Sequence, residues 1–288
     1  MRRRANFLGC PIDCLTMAET VDRIDTAIRS GACLQHVVVN AAKLVHMQSD
    51  AELRQSVIAS DLINADGQAV VWAANFLGQP LPERVAGIDL REELVGLAHR
   101  NGYKIFFFGA TEDVVRQVVA TYAEAYSPDI IAGCRNGYYR KDEEATIAAQ
   151  IRDSGAHILF IAISSPTKEI FLNTYKDVLK IPFIRGVGGN FDVVAGKVRR
   201  APHWMQNYGL EWFYRFLQEP RRMWRRYLTT NTLFIWFVMM AKCCVNLRRR
   251  AADRDPDDPQ ASREVYVNKK KLKKADLKEG DKVTVRVD

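Results

Sequence analysis

Residues 157–163 read His-Ile-Leu-Phe-Ile-Ala-Ile, HILFIAI. After His157 the run has no polar break, and it is too short to cross a bilayer. Such a run suits a strand buried on both faces, as in a parallel sheet. Ser164-Ser165-Pro166 follows, where Ser165 can cap a helix with Pro166 at its first position. Working outward, the same strand-then-helix grammar recurs. Lys104–Phe108 runs into Gly109-Ala110 and a helix over 111–125. His36–Asn40, HVVVN, is a β-branched strand followed by a helix over 41–60. Asp61–Ala65 precedes Asp66-Gly67 and a helix over 68–77. Further strands are expected at Asn6–Ile12, Asp129–Ala132 and Phe183–Val187, and further helices at 90–100 and 143–154. Thr16 and Glu19 form a capping box that starts a helix reaching about Ser30, and Asn101-Gly102 ends the helix over 90–100. The alternation predicts an α/β fold, a Rossmann-like, mostly parallel sheet with helices on both faces. Ligands of such sheets bind beyond the carboxyl ends of the strands. That rule selects Asn40, Asp66, Gly109, Gly137-Tyr138, Ser164-Ser165 and Gly188–Asp192.

The charge is uneven. Residues 196–250 hold twelve Lys or Arg against two Glu, a local +10 in a chain whose total is +8. Basicity confined to one region points to an anionic partner rather than to general solubility. Arg215, Arg221, Arg222, Arg225 and Arg226 fall at helical spacing beside Trp212 and Trp224, and guanidinium forks match phosphates. A solvated basic face, a lipid-binding face and a nucleic-acid-binding helix are the competing readings. The neighbouring LFIWFVMM favours a membrane over RNA. Leu233–Leu247, broken by Lys242, is short of the roughly twenty residues of a span and reads as a helix lying in the interface or dipping into it, with a buried core helix or a short span as the alternatives.

The expected organisation is a core over 1–195, a basic, apolar helical region over 196–250 at the membrane, a linker over 251–262, and a small β-hairpin module or tail over 263–288. MRRRANFLGC lacks the apolar h-region of a signal peptide. The six cysteines make no CxxC pair and read as reduced thiols of a cytoplasmic protein. The five histidines show no metal spacing, and neither GxGxxG nor GxxxxGK[ST] is present. Asp66, in NADGQAV, is a candidate general base at a strand end, or an ordinary Asp-Gly turn. Asp192 is a candidate for a sugar hydroxyl, or a turn or cap. The Gly109-Ala110-Thr111 turn offers backbone N–H groups to a phosphate, or is a tight structural turn.

Six motifs occur in order: NADGQAVVWAANFLGQPLPERVAGID (64–89), FFFGA (106–110), GYY (137–139), SPTKE (165–169), GVGGNFDVVAGKVRRAP (186–202) and GLEWFYRFLQEPRRMWRRYL (209–228). Over about Phe7–Leu228 the chain resembles the WecG/TagA/CpsF family of bacterial glycosyltransferases. The resemblance implies an inverting, metal-independent transferase that needs no cofactor. It implies a UDP-sugar donor and a polyprenyl-diphosphate-linked sugar acceptor, in cell-surface polysaccharide biosynthesis at the inner leaflet of the cytoplasmic membrane. The family's catalytic base matches Asp66, and its sheet-edge Asn matches Asn40, with Val38 where the family often has Thr. Arg84, Gly109, Tyr138 and Asp192 fall on the donor side. Lys168 replaces the family's usual Gln, which bears on sugar identity. Arg215, Arg221, Arg222 and Arg225 match the acceptor-diphosphate side. A homo-oligomer is compatible with this reading, and nucleic acid is not expected. The alternative is a non-catalytic membrane- or nucleic-acid-binding protein that uses the basic C-terminal helix.

Overall fold

A computed structural model describes residues 3–164, 167–207, 209–218 and 220–252. Several side chains inside the helices, among them Arg215, Arg222, Arg225 and Arg226, lie outside the described residues, as do Ser165, Pro166 and the expected hairpin over 263–288.

The chain begins with two strands, β1 (Arg4–Phe7) and β2 (Cys10–Asp13), joined by Leu8-Gly9 as an antiparallel hairpin. Sequence reading expected one strand here; both turn residues take positive φ, which reverses the chain in two residues. Helix α1 (Met17–Ser30) follows, started by the expected capping box at Thr16 and Glu19. Then come β3 (Leu34–Val39), α2 (Ala41–His46), α3 (Ala51–Ile58), β4 (Leu62–Ala65), α4 (Gln68–Phe76) and α5 (Gly87–Asn101). The single helix expected over 41–60 is two, because Asp50 caps a new start by accepting from Leu53 N–H. The chain goes on through β5 (Ile105–Gly109), α6 (Glu112–Ala125), β6 (Ile131–Arg135), α7 (Glu144–Asp153), β7 (Ile158–Ala162), α8 (Thr167–Leu179) and β8 (Phe183–Gly186). It closes with α9 (Asn190–Val194), α10 (His203–Asn207), α11 (Glu211–Gln218) and the long α12 (Pro220–Ala252).

Strands β3 to β8 form one sheet in the order β4-β3-β8-β7-β5-β6, and every neighbouring pair is parallel. The carboxyl ends therefore share one edge. After β4 the chain crosses to the other half of the sheet, which creates the reversal of winding where such folds place ligands. Both faces are covered: Phe183 and Val187 belong to the core under α1, α5 and α6, and Ile184 to the core under α7 and α8.

Beyond β4 sits the hairpin. Asp13 accepts from the Ile63 N–H at 2.8 Å and from Arg4 Nε at 3.0 Å, and Arg4 also donates to Asp61 O.

The apolar half of α12 packs one face on the core. Phe234, Phe237, Val238 and Ala241 are buried with residues of β1, β2, α2 and α4. Lys242, which interrupts the apolar run, donates to Phe76 O at the end of α4 and lies over the Phe76 ring. It thus caps a helix C-terminus with a cation. Among the described residues no helix is long and apolar enough to cross a membrane.

Phe237→Ala removes a buried ring and should cost about 3–5 kcal/mol. Urea denaturation would measure this as a lower midpoint at unchanged slope.

Candidate active site

Asp66 leaves the carboxyl end of β4. Its N–H donates to Val39 O at the end of β3, so the two strand ends are pinned side by side. Asn40 follows on β3. A Cβ on Gly67 would stand 3.7 Å from Asn40 Cβ, so Asn40 and the Asp66-Gly67 turn are neighbours. Asn40 Oδ1 caps α2 by accepting from Lys43 N–H at 3.0 Å.

The Asp66 carboxylate turns toward α5. Oδ1 accepts the Gly87 N–H at 2.6 Å. The Gly87 carbonyl accepts from Arg185 Nη2, at 2.7 Å. Arg185 rises from β8 and is 1% exposed, as is Arg91 on α5. Burial pushes the Arg185 guanidinium down to about 9; Asp66 pulls it up and Arg91 pushes it further down. At neutral pH it is still a cation. Arg91 donates to Asn190 O at 2.8 Å and pairs with Glu92 at 2.7 Å. Tyr122 OH donates to the same Glu92 oxygen. On the other side of Arg185, His36 Nε2 bonds Asn64 Oδ1 at 3.0 Å, and Asn64 Nδ2 donates to Thr20. Burial, and then the charge of Arg185, hold the His36 imidazole well below its usual value. A string of polar groups therefore runs under the sheet edge from Thr20 to Tyr122.

Arg84, in the loop before α5, pairs with Glu211 at 2.5 Å. Arg200 pairs with Asp89 at 2.6 Å and with Glu211 at 3.5 Å. These contacts fasten α11 to the start of α5, one turn from Gly87. The Asp192 carbonyl accepts from Lys197 and Val198 N–H, which turns the chain from α9 toward Arg200. A Cβ at Gly209 would lie 2.8 Å from Gln68 Cβ, so the turn before α11 rests on the first residue of α4.

The sequence-selected residues thus fall into groups. Asn40 and Asp66 stand together, with Arg84 on the adjoining loop and Asp192 on α9. Lys168 lies on the opposite sheet face from Arg185: its stem covers Gly186, where a Cβ would be 2.6 Å from Lys168 Cδ. It lines a small cavity with Ser56 and Ser60. Gly109 is four strand spacings from β4, about 19 Å along the edge. It has φ 124° and packs on Ala162, where a Cβ would come within 2.5 Å of backbone. The Ala110 N–H is given to Ala162 O, and the first turn of α6 carries Glu112 and Asp113. Tyr138, on the loop beyond β6, is 76% exposed. Arg221 is exposed on the first turn of α12. Arg215 is on α11, and Arg222 and Arg225 are on α12, with side chains outside the described residues. Among the described residues no three His, Cys, Asp or Glu gather as a metal site.

A glycosyl transferase WecG/TagA/CpsF family model matches residues 5–248. The chain belongs to this family. It is therefore a glycosyltransferase of cell-surface polysaccharide synthesis. The family match extends through the buried part of α12, whose core contacts were described above.

Sequence reasoning did not select Gly87, Arg91 or Arg185, nor the pairing of Arg84 and Arg200 with Glu211 and Asp89. Arg185 carried one signal, a cation inside the apolar run IPFIRGV.

His36 is neutral when buried and protonates near pH 6.5 when unfolded. The unfolded chain therefore binds the extra proton, and stability falls as pH drops below about 6.5, by up to about 1.4 kcal/mol per pH unit. Denaturation midpoints between pH 7 and pH 5 should show this slope, and His36→Gln should lessen it.

Proposed function

We propose that the chain is an inverting, metal-independent transferase that moves a sugar from a UDP-sugar to a sugar on a polyprenyl diphosphate, with Asp66 as general base. The observation that carries the reading is the seating of Asp66. It stands at the carboxyl edge on the turn next to Asn40, with Oδ1 committed to the Gly87 N–H, which leaves Oδ2 for a hydroxyl. Oδ2 takes the acceptor hydroxyl proton. The oxygen attacks the anomeric carbon from the face opposite UDP, the carbon–phosphate-oxygen bond breaks, and UDP departs. One displacement inverts the anomeric centre.

The donor lies along the strand ends between Asp66 and the Gly109–Tyr138 side, with Asp192 and Lys168 as further donor-side groups. Arg84 already holds a carboxylate, that of Glu211, so diphosphate binding there exchanges one anion for another. Arg215, Arg221, Arg222 and Arg225 neutralise the acceptor diphosphate.

The acceptor is a lipid, and the surface around α12 fits that. Trp224, Leu228, Ile235 and Met239 are exposed. At helical spacing they fall within about 60° of arc, away from the buried face. Trp72 and Phe76 on α4 and Trp212 on α11 are exposed as well. An apolar stripe flanked by arginines suits the inner leaflet of an anionic membrane. This also favours the transferase over a nucleic-acid-binding reading.

The deciding assay is UDP release from a panel of UDP-sugars, with and without a polyprenyl-diphosphate-linked sugar, in detergent and EDTA. Acceptor-dependent release that EDTA leaves unchanged is expected, and Asp66→Asn should lower it at least a thousandfold with donor binding retained. Turnover near wild type in Asp66→Asn would remove the base assignment. Flotation with anionic vesicles should weaken at least tenfold in Leu228→Glu/Ile235→Glu; equal flotation would remove the membrane surface.

A further inference from the structure

The buried guanidinium of Arg185 has no role in the scheme above. A cation fully removed from water costs several kcal/mol unless it is paired. An aliphatic residue would fill the same place on β8 without that cost. The reason for an arginine must lie in what its head touches.

Three polar heads converge on Gly87, the residue with no side chain to exclude them. A Cβ there would stand 3.0 Å from Arg185 Nη2, 3.4 Å from Asp66 Oδ1 and 3.7 Å from Asn190 Nδ2. Arg185 grips the carbonyl of Gly87 while Asp66 grips its amide. Arg185 Nε and Nη1 have no hydrogen-bond partner among the described residues. Of the charged groups that act on Arg185, Asp66 attracts it and Arg91 repels it. The side chain therefore makes one hydrogen bond and leaves its charge to be answered by Asp66.

We propose that Arg185 is a positioning residue for Asp66. By tethering the Gly87 carbonyl it fixes the amide that occupies Oδ1, and so turns Oδ2 to the acceptor hydroxyl. The inference rests on Asp66 being the base, and the test separates the two.

Acceptor-dependent UDP release is measured for the wild type, Asp66→Asn, Arg185→Met, Arg185→Lys and the double variant Asp66→Asn/Arg185→Met, with melting temperatures alongside. Arg185→Met should lower kcat ten- to a hundredfold with both KM values within twofold, and Arg185→Lys should recover part of the loss. In the Asp66→Asn background, Arg185→Met should change residual turnover less than twofold, because the group it acts through is gone. If Arg185→Met does not fold, Arg185→Lys carries the test, with at least a fivefold loss in kcat at unchanged KM expected. Wild-type kcat in the folded Arg185 variants, a change in KM alone, or a multiplied loss in the double variant would each overturn the role of Arg185. An active Asp66→Asn would instead overturn the base on which the inference rests.

Discussion

The hydrogen-bond geometry around Gly87, whose amide Asp66 accepts and whose carbonyl Arg185 holds, is the constraint on which the carboxyl edge depends. Buried charge must be answered by opposite charge and hydrogen bonds. Arg185 answers to Asp66, and the two meet through a residue whose missing Cβ leaves room for both heads. The consequence spreads. Gly87 is fixed at the start of α5, so Asp89 is set toward Arg200, and Arg200 and Arg84 in turn hold Glu211. The position of α11 over the edge thus follows from a chain of charges that begins under the sheet.

The second organising feature is α12. Its apolar run divides between two environments on opposite sides of one helix. Phe234, Phe237, Val238 and Ala241 join the core, while Ile235 and Met239 stay outside. A helix with both faces apolar has too little polar surface to be an ordinary solvent-facing helix and too few residues between its charges to be a span. Docked on the core, it presents a fixed surface at a fixed distance from the strand ends.

Much of this was legible in the sequence. Apolar runs such as HILFIAI and HVVVN, each followed by a helical pattern, gave the parallel sheet, and Thr16 with Glu19 gave the start of α1. Asp66 and Asn40 were legible because they stand at strand ends, where position alone carries meaning. What escaped depended on contacts remote in sequence. The β1–β2 turn, Leu8-Gly9, is two residues long and lies inside one apolar stretch, so periodicity read it as continuous strand. Arg185 and Gly87 are 98 residues apart, and their bond exists only after β8 is inserted between β3 and β7. Glu211 is one of only two acids in the basic region, and its role as partner to Arg84 and Arg200 exists only once α11 folds back. Lys242 seemed to spoil an apolar helix until Phe76 O supplied its partner.

The small N-terminal hairpin has a consequence for how this protein behaves in a crowded cell. An outer strand of a sheet displays unpaired amides that can template another chain. On β4 the outward amide of Ile63 is taken by the Asp13 carboxylate, and the strand's approach, at Asp61 O, is taken by Arg4. Side chains of opposite charge, rather than a further strand, close that side. An incoming segment would have to displace a buried carboxylate to add itself there. The chain is thereby guarded against sheet-to-sheet aggregation along this edge.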